Sequence, residues 1–133
     1  MSASVFLVGM TLESWPSFAS LYSARKYPVP PHPAEGIWVV DSQRSPVGGV
    51  CIYPAGPYAL FEHAIIDATK PLRVRAAAFE LGLEALKAYC AARSVVPVCT
   101  VSSLGMKRFM QRRGWRSRAA IPMYLWPIEL ERK

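Results

Sequence analysis

Acidic residues are scarce in this sequence: 9 Asp and Glu stand against 16 Lys and Arg, a formal charge of +7. That balance suits an acidic partner, whether a phosphate-bearing ligand, a nucleic acid or an acidic protein surface, and it also keeps a protein in solution. Cysteine is sparse too. Cys51, Cys90 and Cys99 are an odd number at wide spacing, and no C-x-x-C or Cys/His cluster offers a zinc or other metal site. They read as three buried, reduced thiols of a cytosolic, hence cytoplasmic, protein. No apolar run reaches the roughly 18–20 residues of a membrane helix, so no membrane role is expected. Val5 to Met10 is short, lacks a preceding basic residue, and fits a core strand better than a signal peptide. There is no internal repeat and no low-complexity segment. What remains is 133 residues, 52% of them apolar, which is enough for one folded domain over 1–133 and too apolar for wholesale disorder.

Local patterns order this domain. Residues 5–10 predict a first strand. Thr11 is a candidate N-cap with Glu13 in the first turn, and Trp15, Phe18, Leu21 and Tyr22 recur at helical spacing, predicting a helix to about Tyr27. Pro28, Pro30, Pro31 and Pro33 forbid helix afterwards and predict an extended loop holding an idle, exposed His32. Residues 37–40, 47–53 and 58–66 are β-rich and separated by short turns at 41–46 and 54–57, an antiparallel meander. Trp38 belongs to its core, as does Trp126 further on.

The clearest helix spans 72–93, where Phe79, Leu83, Leu86 and Cys90 form one apolar stripe and Glu80, Glu84 and Lys87 the other side. Val95 to Val101 reads as a buried strand. A last helix runs from a cap at Ser102 or Ser103 through Arg113, with Gly114 placed to end it, and Ala119 to Trp126 predicts a final strand. The order is β-α-βββ-α-β-α-β. The step from 58–66 through the long helix to 95–101 is a βαβ crossover, so those two strands should be parallel within a mixed α/β (α+β) sheet.

Two segments carry chemistry within that order. Arg73-Val74-Arg75-Ala76-Ala77-Ala78 opens the long helix directly after a strand and turn. Orphan N–H donors and the helix dipole attract anions there, and two arginines add charge. Arg108-Phe109-Met110-Gln111-Arg112-Arg113-Gly114-Trp115 ends the last helix with an aromatic after its glycine. In this order the two segments make the chain resemble the Gcn5-related N-acetyltransferase family over about residues 36–126, and more loosely over the first strand and helix.

The resemblance implies a single-domain fold with a mixed, mostly antiparallel central sheet and helices on both faces, acetyl-coenzyme A as cosubstrate, and an amine acceptor on a protein or small molecule. It assigns Arg73, Val74, Arg75, Ala76, Ala77 and Ala78 to the pyrophosphate, with Ala76 where the family prefers glycine. It assigns the backbone of Ile65 and Ile66 to the pantetheine arm. Ser103 stands where the family carries an asparagine, Met106 where it has an alanine, and Met110 falls on the family's general-acid tyrosine and has no proton to donate. The preceding strand offers Glu62 and His63 as the group that takes the amine proton, and regular alternation would send them to opposite faces. Two other functions stay open. One is an acetyltransferase-like binding or assembly module without chemistry, since size and style also resemble small bacteriophage proteins of this kind. The other is nucleic-acid binding through Lys107, Arg108, Arg112, Arg113, Arg116 and Arg118.

Overall fold

The computed structural model describes residues 4–31, 35–99 and 104–116. The predicted strand at 119–126, and with it Trp126, lies outside these residues, as do His32, Ser103 and Arg118. The chain divides into two compact units, Met1–Thr100 and Val101–Lys133.

In the first unit the elements run β1 (Val5–Val8), α1 (Trp15–Ala24), β2 (Gly36–Asp41), β3 (Pro46–Ala55), β4 (Tyr58–Ile66), α2 (Leu72–Arg93) and β5 (Val96–Cys99). They build one sheet in the order β1-β2-β3-β4-β5. The first four strands are antiparallel neighbours, and β4 and β5 are parallel across the α2 crossover, as the short turns and the long helix require. Gly56 stands at φ +62 in the two-residue turn between β3 and β4, before Pro57, a conformation that most side chains resist.

Strand alternation splits the core into two layers. Trp38, Val40, Cys51 and Ile65 pack with Trp15, Phe18 and Tyr22 of α1 on one face. Val39, Val47 and the partly buried Ile66 pack with Ala78, Val74 and Leu81 of α2 on the other. Helices therefore cover both faces of the sheet. Trp38 is the centre of the first layer, with Trp15 and Phe18 edge-on to its ring at centroid distances of 5.4 and 5.3 Å.

Helix boundaries move where a local rule beats periodicity. α1 starts at Trp15, not at Thr11, because Pro16 has no N–H to give and is tolerated only in a first turn. Thr11 instead forms a turn with Ser14, whose N–H donates to Thr11 Oγ1 at 3.1 Å while the Thr11 N–H donates to Ser14 Oγ at 3.0 Å. The helix ends before Tyr27. Lys26 turns left-handed at φ 58, and Tyr27 and Lys26 N–H groups close back on Tyr22 and Ser23 carbonyls in a Schellman cap. α2 ends in the same way, with Ser94 at φ 54 and the Val95 N–H on Cys90, which is why β5 begins one residue later than its apolar run.

The second unit holds α3 (Leu104–Gln111), whose end is a third Schellman cap: Gly114 at φ +91, its N–H on Gln111, and the Trp115 N–H on Met110. Gly114 stops this helix as its spacing predicts.

Candidate functional site

The β3–β4 register supplies the central feature. Gly49 pairs with Ile65 and Cys51 with Glu62, so Val50 alone faces two residues, His63 and Ala64. This is a β-bulge, and His63 takes the left-handed conformation at φ 58. On the other side of β4 the parallel pairing with β5 runs from Tyr58↔Val96 to Phe61↔Cys99. Among the described residues it goes no further. Alternate residues of a strand aim their N–H and C=O groups at opposite edges, so part of the Glu62–Ile66 backbone is aimed away from β3. Ile65 and Ile66 pair with Gly49 and Gly48, and their side chains enter opposite core layers.

The bulge overturns the alternation expected of Glu62 and His63. Glu62 is the cross-strand partner of Cys51, which lies in the α1 layer, so its side chain stands on the α1 face. The exposed His63 ring meets Tyr53 edge-on, 5.9 Å between centroids, and Glu62 also acts electrostatically on Tyr53. Both candidates for the amine proton therefore gather around one phenol. A left-handed residue in the middle of a strand removes the period-2 rule that would have separated them.

Behind them lies a group that pattern reading did not single out as a site. Cys51 is fully buried and interacts electrostatically with the Tyr22 and Tyr53 phenols. The Tyr22 phenol donates to the His63 carbonyl, tying α1 to the bulge across 41 positions of sequence. Burial pushes the Tyr22 and Tyr53 phenols and the Cys51 thiol upward, so all three stay protonated near neutrality. Cys99, paired with Phe61 and the last described residue of β5, is pushed up to about 12, first by burial and then by Cys90 and Glu62. Burial also raises Cys90, against the pull of Arg93. None of the three thiols is activated as a nucleophile, and all three are free. No group of three metal-ligating side chains occurs among the described residues.

The predicted anion segment sits in the first turns of α2. Pro71 is the N-cap and gives no side-chain bond. Its carbonyl already accepts from the Val74 and Arg75 N–H groups, at 3.0 and 3.1 Å. Leu72 and Arg73 are left as the N–H groups with no acceptor inside the helix. Arg73 and Ala76 are exposed, Ala77 is half-buried, and Ala78 is buried against Val39 and Val47. Arg75 turns back, its Nε donating to the Lys70 carbonyl at 3.0 Å. Lys70 in turn holds Asp41 Oδ2 at 2.8 Å and Ser45 Oγ at 2.9 Å, fixing this turn to the β2–β3 hairpin. The hydrogen bond from Lys70 keeps the Asp41 carboxyl below the usual carboxylate range.

In α3, Met110 is buried and Met106 half-buried, while Lys107, Arg108, Arg112 and Arg116 are exposed. Arg113 lies over the Phe109 ring at 3.4 Å and donates to the Phe109 carbonyl.

No protein-family model matches the sequence, and no curated protein matches it. Solved structures do match the fold. An acetyltransferase from Trypanosoma brucei superposes with a TM-score of 0.65 at 16% identity, over 92% of this chain and 99% of that one. A ribosomal-protein-alanine N-acetyltransferase from Brucella melitensis biovar Abortus gives 0.63 at 15% identity, over 92% and 98%. An aminoglycoside acetyltransferase from an uncultured soil metagenomic sample gives 0.59 at 14% identity, over 96% and 99%. With its meander, its α2 crossover and its parallel β4–β5 pair, this chain has the fold of the Gcn5-related N-acetyltransferases.

Proposed function

We propose that the chain is an acyl-coenzyme A-dependent N-acyltransferase, 1–133 acting as one acetyltransferase-like domain in the cytoplasm, that moves an acetyl group from acetyl-coenzyme A to an amine of a protein or small molecule. The observation that carries this reading is the β4 bulge at His63–Ala64, where the β3–β4 register shifts and His63 turns left-handed just before Ile65 and Ile66. The backbone of Ile65 and Ile66 would there take the pantetheine arm as a further strand, and β4 amides would polarise the carbonyl. The α2 N-terminus would meet the pyrophosphate across the turn Arg73–Ala78, its donors being the Leu72 and Arg73 N–H groups and its charge coming from Arg73 and Arg75. Acetyl-coenzyme A supplies a thioester that an amine nitrogen attacks directly while the thiolate leaves. Direct attack suits a site whose thiols are all held protonated. Glu62 or His63 takes the proton from the amine; the assignment of Ser103 to the coenzyme rests on the resemblance alone.

Calorimetric titration with acetyl-coenzyme A, followed by transfer assays on a panel of amines, tests the proposal. Binding and slow turnover are expected, and Glu62→Gln with His63→Ala should together abolish transfer. A chain that does not bind the coenzyme has another function, and fast turnover in the double variant would remove both residues from the proton's path.

One observation favours a second reading, an acetyltransferase-like binding or assembly module. Met110, where the resemblance places an acid, is buried and has no proton to give. Tight coenzyme binding with no transfer to any amine would favour it. Nucleic-acid binding rests on the exposed cations of α3 alone, so any such complex should weaken steeply with salt.

A further inference from the structure

The bulge that makes the site is not self-supporting. His63 is neither glycine nor asparagine, yet its backbone stands in the left-handed region at φ 58 in the middle of a strand, where a Cβ crowds the following carbonyl. Bulges carrying such a residue usually place glycine there. Relaxing His63 to an extended conformation would slip the end of β4 past β3 by one residue and turn side chains to the wrong face. Something outside the strand must hold it. A hydrogen bond reaches the bulge from α1, where the Tyr22 hydroxyl donates to the His63 carbonyl. Tyr22 is well suited to this work. It is 2% exposed, its ring is packed against Trp15 at 6.4 Å, and its backbone carbonyl accepts the Tyr27 N–H that closes the α1 cap. The donor is thus rigid at the backbone and at the ring.

Resting on the acyltransferase reading of the β4 edge, we propose that Tyr22 is a positioning residue: its hydroxyl holds the His63 carbonyl, fixes the β4 bulge, and so sets which backbone groups of Glu62–Ile66 face the coenzyme. Tyr22 touches neither coenzyme nor amine, and it acts through the strand. Its α1 neighbours Trp15 and Phe18 pack on Trp38 and carry the core, whereas the phenolic oxygen carries the site.

The test separates oxygen from ring. Tyr22→Phe keeps the ring and removes the donor. Amide exchange at Ala64 and Ile65 should then accelerate about tenfold more than exchange in α2, and the dissociation constant for coenzyme A should rise by about fivefold to tenfold, the scale of one hydrogen bond. Adding His63→Gly, which adopts the left-handed conformation without the crowding, should return most of that affinity, a rescue that a general loss of packing would not produce. Unchanged exchange at the bulge and unchanged affinity in Tyr22→Phe overturn the inference alone. Lost affinity that His63→Gly fails to restore also overturns it, because the loss would not run through the bulge. Failure of the wild-type chain to bind coenzyme A overturns the acyltransferase reading, and with it the part given to Tyr22.

Discussion

Alanine at Gly49 should cost stability for a reason that can be measured against its opposite. Gly49 has no positive φ, so the backbone there accepts any residue. The constraint is space. A Cβ on Gly49 would collide with the Trp38 ring, 2.7 Å from Cζ3 and closer still to Cε3, and would stand 2.5 Å from the Ile37 carbonyl oxygen. The carbonyl is backbone and cannot rotate away. The indole is 1% exposed and held edge-on by Trp15 and Phe18, so it has nowhere to go. Overpacking of this kind costs about 1–3 kcal/mol, or roughly 4–12 °C in Tm for a chain of this length. Gly82 is the control. It lies inside α2, where an added methyl group would meet nothing within 4 Å, and alanine there should stabilise by about 0.5–1 kcal/mol through helix propensity. The same substitution thus has opposite signs at two positions. Urea unfolding at constant m-value reads both. A Gly49→Ala midpoint at or above wild type would refute the packing of Trp38 over this strand. Gly49 also pairs with Ile65 beside the bulge, so coenzyme affinity should fall along with stability.

Asp41 should make the protein acid-sensitive: its folded pKa is lowered by the Lys70 hydrogen bond, so its contribution is complete above the unfolded value near 4 and is lost as pH falls through the lower folded value. Thermal melts from pH 7 to 3 should show that loss, and Asp41→Asn should have a flatter acid limb; identical limbs would count against the pairing. Ala76→Glu puts bulk and negative charge on the exposed face of the first α2 turns and should abolish coenzyme binding, and equal affinity would remove this turn from the site. If the chain is an enzyme, water can protonate the leaving thiolate, whose pKa lies near 8.5, so lack of an acid at Met110 should slow transfer by roughly 10²–10⁴-fold. Met110→Tyr should then be neutral or activating in a thiol-release assay, and a large loss of rate would show that the methionine itself is needed.

The sequence by itself determined most of the frame. The stripe Phe79, Leu83, Leu86 and Cys90 marks α2 with its observed ends, because a long amphipathic period leaves one solution. β4 at 58–66 and the meander were equally legible, since short turns admit only antiparallel neighbours. Gly114 announced the end of α3. Ends set by one residue's geometry were less visible: Pro16 delayed α1, and Lys26 and Ser94 capped helices in a conformation their side chains do not advertise. The site was legible only in outline. Phe61-Glu62-His63-Ala64 reads as regular strand, and nothing in a histidine signals positive φ, so the bulge that gathers Glu62, His63 and Tyr53 came from the tertiary structure. The same holds for Tyr22, which periodicity marked as one more apolar position of a helix. Its hydroxyl gains a role only when α1 packs across the sheet and brings it to a carbonyl 41 residues away, and a local pattern holds no information at that range.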